Sequence, residues 1–397
     1  MGMVFHFFSG HGLLSQHIKL LFGVDYSDSA ASERRQALPC EVFARLLRAA
    51  LQPLAEQRRH AEAFYRRWRL VAIDGTNFTA NNTPEVKAKR RKARSRRGRA
   101  AFLKIPAVVL LELGLHNPLA VAIGRHGESE WKLSRSLLSQ LSGQCLLLAD
   151  RLYGCGAMLA LVLDRCRQVR SEFLVRVRQQ LQVQAGRALK DGSRLITVHV
   201  REKGSKRIIR SLQLREIQAR VHRPGFRGQQ LRLWTSILDE RQAPAMELVR
   251  LYAQRWEQEL YYRQLKLELR RSDRLQSQTL ETMAQEIATW ILSSVLIARE
   301  RARAARGEVA VLRVSFVKLL ELLRPLWLVL AIGGDLLSPD QARQLTKRFL
   351  DHARSCLTPK RRARSCPRAV RQPIKKWPRL LKNRSWNDPV ELCVIPA

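Results

Sequence analysis

The spacing of apolar residues changes several times along this chain, and each change marks an element. Residues 1–69 read as helical: LPCEVFARLLRAALQPLAEQ sets Val42, Phe43, Leu46, Leu47 and Leu51 at helical intervals. A short apolar run, Leu70 to Ile73, then reads as a buried strand ended by Asp74 and Gly75. Two more strands are predicted at Ile105 to Leu115 and Leu119 to Ile123, with His116, Asn117 and Pro118 as the hairpin turn. A helix follows from Glu128 to Leu141, and the run Leu146 to Ala149 makes another buried strand, ended by Asp150. Gly154 to Arg170 is again helical, and SEFLVRVRQ is a strand. From Leu181 to Leu238 apolar and polar residues alternate, punctuated by Gly192, Gly204, Gly225 and Gly228, which predicts an antiparallel β segment.

After that segment LYAQRWEQELYYRQLK, Leu251 to Lys266, has no Gly or Pro and is rich in helix formers. An apolar helix is expected from Leu280 to Ala298, then mixed helical stretches from about Arg301. Between Arg354 and Arg384 there are twelve Lys or Arg and no acid, broken by four prolines, the pattern of an extended basic tail rather than a domain. The apolar run from Pro325, PLWLVLAIGG, is too short to span a bilayer, and the first residues lack the basic and hydrophobic regions of a signal peptide.

Charge narrows the partners. Lys plus Arg number 72 against 34 acids, a net charge of +38 and a pI near 11.3. Such a surface repels itself unless a polyanion is at hand, so nucleic acid is the first candidate partner, for a structural basic protein as much as for an enzyme. The seven scattered cysteines form no CxxC pair, which excludes a zinc ribbon and points to a reducing compartment. Nine of the thirteen residues from Lys87 to Arg99 are basic, Arg90, Arg91 and Lys92 among them. That run reads as a solvated loop when free and a phosphate-gripping one when nucleic acid is bound.

Candidate chemistry lies on the Leu251–Lys266 helix. Tyr252, Arg255, Glu259 and Lys266 stand three, four and seven apart, and at roughly 100° per residue they share a stripe about 60° wide. Alone, Arg255 and Glu259 also fit an ordinary i,i+4 pair on a solvated face. Asp74 and Asp150, each closing a buried strand, supply carboxylates that could join Glu259, although each alone fits a turn or cap.

Together these residues resemble the DDE transposases of bacterial insertion sequences, in particular the branch written IS-four. Its signature is Tyr, two residues, Arg, three residues, Glu, six residues and Lys, which Tyr252, Arg255, Glu259 and Lys266 match without a gap. The resemblance covers roughly Leu70 to Glu300. The chain departs from it two residues after the second Asp, where Leu152 replaces the usual Gly or Ala, while the aromatic Tyr153 is kept.

The resemblance implies an α/β fold: a ribonuclease H-like catalytic core at 70–300 with a β insertion at about 181–240, a helical region at 1–69 and a helical region with a basic tail at 301–397. In such a core the strands of Asp74 and Asp150 are neighbours. The N-terminal region either holds element-end DNA, as in the family, or is a plain packing domain. It further implies that Asp74, Asp150 and Glu259 bind two Mg²⁺ ions, with Mn²⁺ as a substitute, Asp74 bridging them. Tyr252, Arg255 and Lys266 would hold the phosphates beside the cut, and Trp256 would stack on a flipped base, a role for which Trp234 is the weaker candidate because it also fits a core. The expected partners are double-stranded DNA, at element ends and target, and a second copy of the chain once DNA is bound, with no membrane. The expected place is the bacterial cytoplasm, on the nucleoid when active. Competing readings are a nuclease of the same core without strand transfer, and a DNA-binding protein descended from a transposase.

Overall fold

Pairing of the apolar runs decides which predicted elements survive and how long they are. A computed structural model describes residues 2–9, 12–92, 94–95, 98–125, 127–202, 204–222, 229–269, 274–334, 336–359 and 391–396. In chain order come α1 (Gly2–Ser9), α2 (Leu14–Phe22), α3 (Asp28–Ala37), α4 (Cys40–Ala50), β1 (Phe64–Tyr65), β2 (Trp68–Ala80), α5 (Pro84–Lys89), β3 (Arg94–Ser95) and β4 (Gly98–Arg99). Then follow β5 (Leu103–Glu112), β6 (Asn117–Ile123), α6 (Glu130–Leu138), β7 (Cys145–Ala149), α7 (Gly156–Gln168), β8 (Glu172–Arg176), β9 (Gln184–Ala188), β10 (Arg194–Arg201), β11 (Ile208–His222) and β12 (Gln229–Thr235). The chain closes with α8 (Ala245–Tyr252), α9 (Trp256–Arg263), α10 (Leu280–Ala305), α11 (Phe316–Ile332), α12 (Pro339–Ser355) and β13 (Glu391–Val394). It divides into two compact units, residues 1–145 with 256–358, and 146–255 with 359–397. Each mixes helices with a mostly antiparallel sheet.

In the first unit β5 lies antiparallel between β2 and β6. The strand predicted to stop at Ile73 runs on to Ala80, so Asp74 sits within β2 rather than at its end. Gly75, Thr76 and Asn77 look like turn residues, but Phe78 and Ala80 keep the alternation, and β5 supplies partners as far as Leu103. The hairpin also differs from expectation. The chain turns at 113–116, with His116 at φ 53°, and Asn117 and Pro118 already belong to β6. Pro118 is tolerated because the register slips there, between Leu110 and Leu111 of β5. Glu112, wholly buried, accepts from the backbone N–H of Leu54 and Ala55 at 3.1 Å each, from Asn117, and pairs with Arg69.

α10 is buried on nearly every side, as an apolar helix without a polar face must be. It outruns its predicted end at Ala298 and anchors the N-terminal helices. Gln285 donates to the carbonyls of Arg35 and Leu38, Glu281 accepts from the Cys40 N–H at 2.7 Å, and Phe7 meets Trp290 edge-on at 5.8 Å. The N-terminal helices thus share a unit with β2. The strongly basic stretch is not an irregular loop throughout: α5 carries it to Lys89, and β3 and β4 pair antiparallel. Most of the predicted basic tail, residues 360–390, lies outside the described residues. No helix among the described residues is long and apolar enough to cross a membrane.

In the second unit β7 and β8 are parallel, joined through α7 as a parallel pair requires. β12 adds antiparallel to β8, followed by β11, β10 and β9, so the predicted β segment extends the pair β7–β8. β13 pairs with the far end of β11. The core of this sheet holds a charge cluster. Glu216, 1% exposed, accepts from Arg194, from Arg232, from the Trp234 indole at 2.8 Å and from Gln218 at 3.0 Å.

Burial raises the pKa of Glu216, but the four hydrogen-bond donors outweigh it and hold the carboxyl below its ordinary value. The folded protein therefore takes up this proton less readily than the unfolded chain. The stabilisation is complete above the ordinary glutamate value of about 4.3 and fades as pH falls through the lowered folded value. Thermal melts from pH 7 down to 3 should show a steep loss below about 4. Glu216→Gln should cost about 3–5 kcal/mol at neutral pH, since it takes the shared carboxylate from buried Arg232 and part-buried Arg194, and should flatten that acid limb. A variant melting like the parent at both ends would remove Glu216 as the keystone of this sheet.

Candidate active site

The signature helix is not one uniform α-helix. α8 ends at Tyr252, a 3₁₀ turn covers Ala253–Arg255, α9 follows, and Gln264–Leu269 is a π-helix. The tighter and looser turns shift the phase, so the four residues are not spaced at a constant 100°. Tyr252 and Arg255 belong to the second unit, and Glu259 and Lys266 to the first.

In the first unit the helical segment bearing Glu259 is tied to β2 beside Asp74. The Tyr262 hydroxyl donates to the Asp74 carbonyl at 2.6 Å, and buried Gln258 donates to the Val109 carbonyl at 2.9 Å and to Tyr262 at 3.2 Å. Lys266 donates to the Thr76 hydroxyl and to the Asn77 carbonyl, with its ammonium 5.0 Å from the centre of the Phe78 ring. Asp74, Thr76 and Phe78 alternate onto one face of β2, so Lys266 covers the face from which Asp74 projects. Gly75 faces the other way, and a Cβ there would collide with the carboxyl group of Glu130. Tyr262, Gln258 and Thr76 did not stand out in the sequence. Their only signal was place: Tyr262 three residues after Glu259, Gln258 next to it, and Thr76 at period two from Asp74.

In the second unit Asp150 directly follows β7, as predicted. Its Oδ1 accepts the Leu152 N–H at 2.8 Å, and its carbonyl accepts from Tyr153, whose ring is buried. Leu152 thus contributes its backbone to the Asp150 turn. Tyr252 is buried, and its hydroxyl donates to the Ala149 carbonyl at 3.2 Å, one residue before Asp150. Burial pushes the phenol up to about 12, Arg255 and Arg176 draw it down, and Asp150 raises it. Arg176, at the end of β8, thus joins Arg255 and Asp150 around this phenol. Nothing in the sequence marked it out from the other arginines.

Of the remaining predicted residues, Trp256 is 52% exposed, whereas Trp234 is a core residue bonded to Glu216. Arg90 is turned inward: its guanidinium donates to the Gly124 carbonyl at 2.7 Å and pairs with Glu128. Arg91 is exposed and Lys92 half-buried.

The donor set of Asp74, Asp150 and Glu259 is oxygen alone, the chemistry that suits a hard divalent cation. In both aspartates Oδ1 accepts a backbone N–H just downstream, and a carboxylate has about four acceptor positions in all. Their chemistry fits such an ion. Among the described residues no three His, Cys, Asp or Glu side chains are gathered into a metal-holding group.

Comparison with known proteins agrees with the signature. Residues 67–296 match the family described as the transposase DDE domain. The chain is also 26% identical over 325 residues to the transposase InsG for insertion sequence element IS4 of Escherichia coli (strain K12), a match covering 78% of this chain and 69% of that protein. The resemblance read from Tyr252, Arg255, Glu259 and Lys266 is borne out by both matches. Since the matched segment takes in well over half of the sequence, with both aspartates and Glu259 inside it, this chain belongs to the DDE transposase family.

Proposed function

We propose that this chain cuts the ends of a bacterial insertion element of the IS4 kind and joins the freed 3′ hydroxyls to target DNA. The observation that carries the reading is the attachment of the Glu259 helix to β2 at Asp74, through Tyr262 and Lys266. Asp74, Asp150 and Glu259 are the carboxylates that hold metal, on a core of ribonuclease H-like type. The family depends on divalent metal, and the oxygen-only donors favour a pair of Mg²⁺ ions, replaceable by Mn²⁺. When bound, such ions activate the attacking hydroxyl and offset charge on the phosphate.

The chain's own residues do the positioning. Arg255 and Lys266 hold the phosphates flanking the cut and match charge that grows in the transition state. Tyr252 fixes the end of β7, and with it Asp150. Trp256, with half its surface open, stacks on an unpaired base, and Arg91 and Lys92 grip the backbone, whereas Arg90 serves the fold. The N-terminal helices and the basic C-terminal region add affinity for DNA. Two copies act together on paired element ends, in the cytoplasm and on the nucleoid. Family membership favours this reading over a DNA-binding descendant without activity.

The test uses a duplex carrying the inverted repeat that flanks the gene, incubated with the protein, Mg²⁺ and supercoiled target. Both a 3′ hydroxyl at the element end and a joined product are expected. Cleavage without joining would favour the nuclease, and binding without either product would end the enzymatic reading.

A further inference from the structure

We propose that His116 is a positioning residue that sets the distance between Glu259 and Lys266, an inference that rests on the transposase reading. His116 sits at the tip of the β5–β6 hairpin, 4% exposed, at φ 53°. Its ring is held at both nitrogens by the signature helix: Nε2 meets a Glu257 carboxylate oxygen at 3.0 Å, and Nδ1 meets the Gln264 amide at 2.8 Å. The carboxylate accepts from Nε2–H, and the amide can serve Nδ1 in either orientation. The Tyr261 ring closes on the imidazole edge-on, with centroids 6.3 Å apart.

The two partners are seven residues apart, and so are Glu259 and Lys266, each pair offset from the other by two. Between the members of both pairs the helix changes from α to π, at Gln264. A π turn is less stable than the α turn it replaces and persists where outside contacts hold it. One imidazole bridging Glu257 and Gln264 spans that change and fixes its length. The same length separates the carboxylate from the ammonium that must flank one phosphate. A buried imidazole has one donor and one acceptor nitrogen to satisfy, and it is the place of the two partners that matters. Both lie on the segment that bears the signature and neither on the ring's own hairpin.

The left-handed backbone at His116 supplies a clean variant. Glycine adopts φ 53° without strain, so His116→Gly removes the ring while favouring the turn. Expected are a melt close to that of the parent, unchanged affinity for end DNA, and faster hydrogen exchange confined to 256–269. The single-turnover cleavage rate should fall by about 100-fold, the scale of a misplaced catalytic group. Added imidazole should restore part of that rate by refilling the site. A folded His116→Gly variant that cuts at the parental rate would overturn the proposal. So would a loss explained by weaker DNA binding or unfolding, or one that imidazole leaves untouched. If the parent itself cuts no end DNA, the transposase reading fails first, and the clamp has no reaction to serve.

Discussion

Replacing Asp74, Asp150 or Glu259 by alanine should each abolish Mg²⁺-dependent end cleavage, by about a thousandfold or more, the scale seen when one member of a cooperating set is removed. Binding of the same duplex should stay within a few fold. The net charge of +38 supplies most of the affinity through phosphate contacts, and loss of an acid does not weaken it. Folding should survive, since all three side chains are only half-buried. Asp74→Asn and Asp150→Asn sharpen the test, because an amide oxygen still accepts the N–H of Gly75 or Leu152. They keep the turn and lose the charge. Cleavage by gel, beside a thermal melt and a binding titration, separates the three effects. Any variant that keeps near-parental cleavage removes its residue from the metal set.

Asp150 was legible in the sequence for a simple reason: five buried residues in a row stop at one polar side chain, and a buried strand can stop in few other ways. Asp74 was legible as a residue but not as a position. Its strand continues through Gly75, Thr76 and Asn77, because pairing with β5 outweighs the turn preference of those residues. Pro118 misled in the same manner, since a register slip on the partner strand is invisible from its own sequence. The inserted β segment could be read from alternation alone, though not that β12 would join β8.

Spacing found Tyr252, Arg255, Glu259 and Lys266, but it assumed one helical period. The π turn lies among tertiary contacts, those of His116 and Tyr262, that a local pattern does not contain. The burial of Tyr252 was likewise hidden, because an aromatic on a mixed helix fits either face. Within a run of nine basic residues nothing distinguished Arg90. Gly124 and Glu128, which claim it, lie more than thirty residues away.

The double variant Arg255→Gln with Lys266→Gln tests the signature against a decorative charge pair. Lys266 donates to two oxygens of β2 and lies over Phe78, so its loss should cost about 1 kcal/mol of stability, more than an exposed charge would. Arg255, half-buried beside Tyr252, adds little to that in its own unit. Cleavage should fall far more. As charged donors aimed at developing charge, the role proposed for them, each would be worth about 10²–10³ in rate, so together they should remove about 10⁴ or more. The dependence of DNA affinity on salt should weaken by close to two phosphate contacts, with affinity itself only modestly lower. Single-turnover cleavage, a melt and a salt titration of binding measure the three quantities. If the variant melts about 1 kcal/mol weaker and yet cuts normally, Lys266 is a brace for β2 and nothing more. Glu259 would then stand without the phosphate clamp that gives its place on this helix a meaning.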